Sequence, residues 1–473
     1  MPSSHALMDD LRRVEAASRE LDSPPEEISR WLEDLSRFSA AYLLENAAGP
    51  AYLGPAKSRS SEPTLPHAPS SFRDALAEYR ELALRSGIVP TSGRFFGYVP
   101  GGGIPTAAVG DFLAALTNRY AGMYAASPGA GEIENATVRW LIEMIGFPEA
   151  AWGTLQSGGS LATLTSVIAA RESRPPDQWA RSVVYRTEEC HLAIQKALHV
   201  AGLAHVPSRV VPVDDRLRMS VSDLVRQVNQ DRGEGLLAWM VFASAGTVNT
   251  GAVDPLDAIA DVAAREKLWL HVDAAYGGFF VLTESAREVL APMARADSVV
   301  LDPHKGLFLP YGCGALLVRD GALLKKGFSF TSSYLSDVHR RGAASTADYS
   351  PELTRHFRSL RLWMSLKVHG LERFRAALEE KLILARIAHD RLRAMPRIEV
   401  GPEPDLSCVA FRVREEGDAV TQSVLDRILE EGRVHVSSTR LWGKLWLRIC
   451  ILCFRSHWED LEAALEEIDR AVA

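Results

Sequence analysis

Six short apolar runs punctuate the middle of the chain: SerValValTyr from 182, ArgValValProVal from 209, LeuAlaTrpMetValPheAla from 237, LeuTrpLeuHisVal from 268, SerValValLeu from 298 and AlaLeuLeuVal from 315. Stretches with helical periodicity separate them. Runs of this kind, alternating with amphipathic helices, predict a helix-flanked, mainly parallel sheet and hence an α/β fold over residues 91–370. Residues 1–90 read instead as amphipathic helices interrupted by a Pro-rich and Ser-rich connection at 56–70, which has the composition of a linker. From 371 the pattern changes to a long charged helix. The strand-like CysValAlaPheArgVal and LysLeuTrpLeuArgIle and a terminal helix follow, predicting a small α+β domain over 371–473. There are no internal repeats.

Composition narrows the class of protein. With 473 residues, 47% of them hydrophobic and 24% charged, the chain can bury a sizeable core. A net charge of -7 argues against nucleic acid or an anionic membrane as the main partner. The five cysteines are odd in number and scattered, unlike a disulfide framework. Cys450 and Cys453 have CxxC spacing, but they lie in an apolar run that predicts buried core thiols, not a metal or redox pair. No apolar stretch reaches the roughly 20 residues that a membrane helix needs, and the first thirty residues hold no signal-peptide core. The expected place is the cytoplasm.

Candidate chemistry centres on Lys305, in ValValLeuAspProHisLysGly, and on Asp273, which ends LysLeuTrpLeuHisVal. Parallel strands place their carboxyl ends on one edge of the sheet, so both residues can face one ligand. There a lysine can form a Schiff base and a carboxylate can pair with a pyridinium nitrogen, which together outline a pyridoxal phosphate (PLP) site. Taken singly, an Asp and a Lys at strand ends are more often an ordinary turn residue and a solvated charge. GlnSerGlyGlySer from 156 leads directly into a helical pattern, and amides at a helix N-terminus suit a phosphate. Nearby candidates are His191 to cover a ring face, Thr247 to supply a hydroxyl, and Ala274 and Ala275 to let a ring approach the backbone.

The ordered set SerGlyGlySer, His191, GlyThr at 246–247, HisValAspAlaAlaTyrGlyGly at 271–278 and AspProHisLys at 302–305 resembles the group II PLP-dependent amino-acid decarboxylases. The aromatic-L-amino-acid decarboxylases are their best-known members. Further matched blocks are PhePheGlyTyrValPro at 95–100, TyrAlaAlaSerProGlyAlaGlyGluIleGluAsn at 124–135 and HisPheArgSerLeuArgLeuTrp at 356–363. The resemblance implies a PLP-dependent transferase of fold type I, with a seven-stranded sheet in its large domain. It implies an L-amino acid substrate, aromatic narrowly favoured, decarboxylated to the amine through an external aldimine and a quinonoid. The alternatives are an aldehyde synthase or a decarboxylase of an acidic or other non-aromatic amino acid.

Carried over residue by residue, the resemblance makes Lys305 the covalent anchor of PLP, Asp273 the partner of its ring nitrogen and His191 the residue stacked on the ring. His304 falls beside the phosphate and the lysine. Gly159, Ser160, Thr247 and Ala275 fall where the family contacts the cofactor, and Asp302 stands where many members have Asn. Tyr334 is the implied acid that protonates the substrate carbon. Tyr98, Val99, Arg119, Tyr120 and Arg448 are candidates for substrate contact. Val99 and Gly122 occupy positions where aromatic decarboxylases use Phe. Arg119 reads equally as a structural ion-pair residue and Arg448 as a strand-edge charge. A homodimer with sites at the subunit interface is also implied, and Trp31, Leu32 and Leu35 suit intersubunit packing.

Overall fold

A computed structural model of the protein describes residues 4–47, 49–56, 65–329, 344–414 and 417–473. The chain divides into two compact units, Met1–Gly49 with Leu53–Gly87, and Pro50–Tyr52 with Ile88–Ala473. The first unit contains the helices Ser4–Arg19, Pro25–Ala47 and Phe72–Ala83. Ser71 caps the last of these by accepting a hydrogen bond from the Asp74 amide, satisfying one of the free donors of the first turn. Trp31 stacks on Phe72 at 5.6 Å between ring centroids.

The second unit is built on a seven-stranded sheet. Its strands are β1 (Trp152–Gln156), β2 (Ser182–Arg186), β3 (Ser208–Val210), β4 (Leu237–Ser244), β5 (Trp269–Ala274), β6 (Ser298–Leu301) and β7 (Gly314–Val318), in the order β1-β7-β6-β5-β4-β2-β3. Pairing is parallel from β6 across to β3, while β7 runs antiparallel to both of its neighbours. Only residues 302–313 join β6 to β7, with no long helix among them. So short a link cannot carry the crossover that a parallel pair needs. Strand β4 is buried along nearly its whole length, including Trp239 and Phe242. Burying a side chain of that size contributes about 1.5–3 kcal/mol, which holds the centre of the sheet against its helices.

The expected α/β class is therefore present, with two additions. Strand β1, TrpGlyThrLeuGln, lies outside the apolar runs because Gly and Gln interrupt it. The reversal of β7 is invisible to periodicity. Toward the C-terminus a second, antiparallel sheet has the order β10-β11-β9-β8. Its strands are β8 (Ile398–Val400), β9 (Cys408–Val413), β10 (Ser437–Leu441) and β11 (Lys444–Cys450). The helices Leu371–Arg393, Gly417–Glu431 and Trp458–Val472 belong to the same part of the chain. Strands β9 and β11 lie where the apolar runs predict them, whereas β8 and β10 carry no such signal.

The matched block at 124–135 and the residues at the start of the block at 356–363, with Arg355 just before it, meet at Leu155 of β1. Glu134, in the helix Pro128–Ile145, is ion-paired with Arg355 at 2.5 Å, both side chains being almost fully buried. Arg355 also donates to the carbonyl oxygen of Leu155 in β1, as does Arg358, which pairs in addition with Glu352. Removing one member of a buried pair strands the other charge and costs about 3–5 kcal/mol, whereas replacing both by apolar groups costs less. Arg355→Met should therefore lose stability of that order in urea unfolding. The double variant Glu134→Leu, Arg355→Met should recover part of the loss.

Candidate active site

Six strands present their carboxyl ends along one edge of the main sheet, and the segments beyond five of them wall a cavity of about 390 Å³. The turn after β1 supplies Ser157, Gly158, Gly159 and Ser160. The segment after β2 supplies His191, the segment after β4 supplies Gly246 and Val248, β5 with its extension supplies Asp273, Ala275 and Tyr276, and the turn after β6 supplies Asp302, His304 and Lys305. A larger cavity of about 600 Å³, lined by Trp140, Met144, Val281 and Leu366 among others, includes none of these residues.

Local structure fixes each group. The helix Gly159–Glu172 begins at the cavity wall, so the unpaired amides of its first turn give that wall a partial positive charge. His191 Nδ1 accepts a hydrogen bond from the Ala193 amide at 3.1 Å, which orients the ring. Asp273 Oδ1 accepts from the Ala275 amide at 3.2 Å. Lys305 Nζ lies 2.9 Å from Asp302 Oδ2. Burial opposes the charge on Lys305, but Asp302, joined by the more distant Asp273, outweighs that penalty and holds the ammonium above its ordinary range. His304 is turned by a contact from Nδ1 to the Cys313 carbonyl oxygen at 2.7 Å. Burial lowers its pKa against the opposing pull of Asp302.

Beneath this layer, Ser166 of the Gly159 helix, His271 of β5, and Ser298 of β6 hydrogen-bond to one another, each contact being 2.9 Å. Trp269 Nε1 donates to the same Ser298 hydroxyl at 2.8 Å. Complete burial pushes the pKa of His271 down to about 4, so the ring stays neutral near pH 7. The network ties the helix at the cavity wall to the two strands that carry Asp273 and Lys305. Sequence reading missed it, because each member looks like an ordinary strand or helix residue.

Several expected residues stand elsewhere. Thr247 Oγ1 accepts from the Ala252 amide and contacts Thr250 at 3.1 Å, so it stabilises its own turn and does not line the cavity. Tyr98 is exposed with φ 56°, while the adjacent Val99 does line the cavity. Arg119 is exposed, and the Tyr120 hydroxyl donates to the Leu353 carbonyl oxygen at 3.3 Å. Neither reaches the cavity wall. At Gly122 a Cβ would stand 2.0 Å from the Leu353 carbonyl oxygen, which explains why no ring occupies that position here.

Arg448 is not a strand-edge charge: β11 is paired on both sides, and the side chain is buried. Its Nε donates to Ser437 Oγ at 2.9 Å and its Nη1 to the Val248 carbonyl oxygen, one layer behind the cavity wall. Cys450 and Cys453 are buried, as the core reading predicts. Tyr334 lies outside the described residues. Tyr276 lines the cavity, and its hydroxyl contacts the Ser407 hydroxyl at 2.8 Å and accepts from the Ser407 amide. It was missed as a site residue, although it directly follows the alanine pair.

Comparison with known proteins settles the family. The model of the pyridoxal-dependent decarboxylase conserved domain matches residues 55–414. The chain belongs to the pyridoxal-dependent decarboxylase family. It is 35% identical over 376 residues to an aromatic-L-amino-acid decarboxylase of Bacillus atrophaeus, a match covering 78% of each chain. It is 34% identical over 328 residues to the human cysteine sulfinic acid decarboxylase, covering 67% of this chain and 66% of that one. The crystal structure of Oryza sativa TDC with PLP and tryptamine superposes with a TM-score of 0.87 at 25% identity, over 95% of this chain and 98% of the other.

The decarboxylase is a PLP-dependent enzyme, and the cavity suits that cofactor. Its donors combine a lysine, a carboxylate at a neighbouring strand end and a helix N-terminus beside a glycine pair, where a Cβ at Gly158 would meet His304 Cε1 at 3.3 Å. Asp302 Oδ1 is buried without a hydrogen-bond partner among the described residues, packed against Gly314. Close approach of backbone to backbone also shapes the lysine turn: a Cβ at Gly101 would stand 2.3 Å from the His304 carbonyl oxygen. Overpacking of that kind costs about 1–3 kcal/mol, so Gly101→Ala should weaken PLP binding about tenfold. Absorbance titration of the variant with PLP, beside a melting curve, measures this.

Proposed function

We propose that the enzyme decarboxylates an aromatic L-amino acid to the corresponding amine and carbon dioxide. The observation that carries this reading is the convergence of Lys305, Asp273 and His191 on one cavity at the carboxyl edge of the sheet. PLP, when bound, supplies an electrophilic aldehyde and an electron sink for the bond that breaks. Lys305 would hold it covalently, and Asp273 would keep its ring nitrogen protonated. His191 would cover a ring face, and Gly159 and Ser160 would hold its phosphate through the helix N-terminus. His304 would brace the lysine turn through its bond to the Cys313 carbonyl oxygen. Tyr334 would return the proton to the substrate carbon, which makes amine the product.

The side-chain class follows from what lines the cavity. Among the described residues no arginine does so, while Val99, Leu161 and Val248 give the wall an apolar portion. A buried carboxylate or sulfinate on the substrate needs a paired cation, so this wall favours an uncharged side chain. An acidic substrate is the second reading, favoured by the similarity to the cysteine sulfinic acid decarboxylase and by Arg448, which stands directly behind Val248.

The assembly we infer is a homodimer. Leu7, Leu11 and Val14 are exposed at helical spacing on Ser4–Arg19, and Leu32 and Leu35 are more than a third exposed on the next helix. Arg119 and Tyr120 remain candidates for contact with a partner's site. The five free cysteines suit a reducing compartment such as the cytoplasm. Among the described residues no helix is long and apolar enough to cross a membrane.

Incubating the PLP-loaded enzyme in air with aromatic, acidic and basic L-amino acids should give amine from the aromatic ones, read by mass spectrometry. Aldehyde with ammonia would replace this reading by an aldehyde synthase, and amine from acidic substrates alone would establish the second. In Tyr334→Phe the product should shift from amine towards aldehyde. An unchanged amine yield in that variant removes Tyr334 from its assigned role.

A further inference from the structure

Lys305 and Asp302 form a contact that anchoring PLP does not by itself require. The 2.9 Å separation places the carboxylate in direct hydrogen-bond contact with the lysine nitrogen. Asp302 is 1% exposed, and its other oxygen, Oδ1, has no hydrogen-bond partner within the protein among the described residues. The side chain is confined by backbone on two sides. A Cβ at Gly159 would stand 3.0 Å from Oδ2, and one at Gly314 would stand 2.9 Å from Oδ1. Glycine at both positions leaves room for the carboxylate and little room for it to turn away.

The other titratable groups around this pair are Asp273, His304, Tyr311, Cys313 and Cys450. His304 Nε2 lies 3.7 Å from Asp302 Oδ2, beyond hydrogen-bond reach, and burial disfavours its charged form. Among the described residues Lys305 therefore has one directly bonded anionic partner, and Asp302 has one cation within hydrogen-bond reach.

This arrangement creates a problem that any covalent use of Lys305 must solve. An ammonium has no lone pair and must lose a proton before it can form a bond to carbon. Once that bond is made, the positive charge that balanced Asp302 is weakened or gone. A buried carboxylate without a cation is strongly disfavoured. Both difficulties disappear together if the proton moves along the existing 2.9 Å contact.

We propose that Asp302 is the positioning residue that holds Lys305 as an ammonium while PLP is absent and accepts its proton when the lysine bonds to the cofactor. The inference rests on the PLP reading above. In the step, a proton passes from Nζ to Asp302 Oδ2, giving a neutral amine and a neutral carboxylic acid. The freed lone pair forms the C–N bond to the aldehyde carbon, and the aldehyde oxygen leaves as water with the two hydrogens that remained on Nζ. No oxidant or reductant is involved. The resulting acid is a hydrogen-bond donor beside the Gly159 turn, where an anionic carboxylate would oppose a phosphate.

The test follows capture of PLP by the full-length chain stripped of cofactor, with the rate of Schiff-base absorbance recorded from pH 6 to 10. In the wild type the rate should stay nearly level below the midpoint of Lys305, because transfer to Asp302 frees the amine without a proton leaving the pair. Asp302→Asn removes the acceptor, so its rate should fall about tenfold for each pH unit below the lysine midpoint, which itself lies lower than in the wild type because an adjacent carboxylate raises the pKa of an ammonium. Asp302→Ser, which removes charge and bulk together, should show the same fall. A wild-type rate that rises with pH as steeply as that of the variants overturns the proposal, and so does a variant rate lowered equally at every pH, the mark of a purely structural residue. A wild-type chain that captures no PLP overturns the cofactor reading itself and the proposal with it.

Discussion

The backbone register between β5 and β6 is the constraint on which the site depends. His271 pairs with Ser298, Asp273 with Val300 and Ala274 with Leu301. Asp302 and the lysine turn therefore begin one residue beyond the point where β5 also ends. A slip of one residue would turn every side chain of a strand to the opposite face of the sheet. The slip is resisted from below, where His271, Ser298, Ser166 and Trp269 share hydrogen bonds in the dry interior. Those groups would be left unpaired in any other register, at a cost of about 1–3 kcal/mol each.

Charge then has to be held in a place that water barely reaches, and the chain does this by close backbone packing. Gly159 and Gly314 confine Asp302, and Gly101 lets one segment lie on the carbonyl of His304. The reversed strand β7 belongs to the same solution. By returning directly after the lysine turn it brings the Cys313 carbonyl oxygen to His304 and sets Gly314 against Gly158. A parallel strand in that position would need a crossover connection and could not fold back onto the turn so tightly.

Much of this was legible in the residues. Strands β5 and β6 are short, continuous apolar runs, with Asp273 next to the end of the first and Lys305 just past the end of the second, where an α/β sheet places ligands. What escaped the reading depends on contacts between distant positions. Strand β1 is anchored by Arg355 and Arg358, some two hundred residues away in the chain, and a segment with Gly and Gln in it gives no periodic signal of its own. Thr247 looks like a hydroxyl for a ligand until its turn is seen to occupy it. Arg448 reads as an edge charge until β9 and β10 are found on either side of it.

The division between chemistry and specificity follows from the same geometry. Strand ends and their turns supply Asp273, Asp302, His304 and Lys305 to the cavity, while Val99 stands on a separate segment and Arg448 lies in the layer behind Val248, where it bonds a carbonyl instead of facing the cavity. On the proposed reading the first group handles the cofactor and the second distinguishes one amino-acid side chain from another. Two relatives of nearly equal identity, one named for aromatic substrates and the other for cysteine sulfinic acid, fit a fold in which the reacting centre is fixed by the sheet and selectivity by a thin outer shell. Overall similarity therefore says little about the substrate, and the polarity of that shell says more.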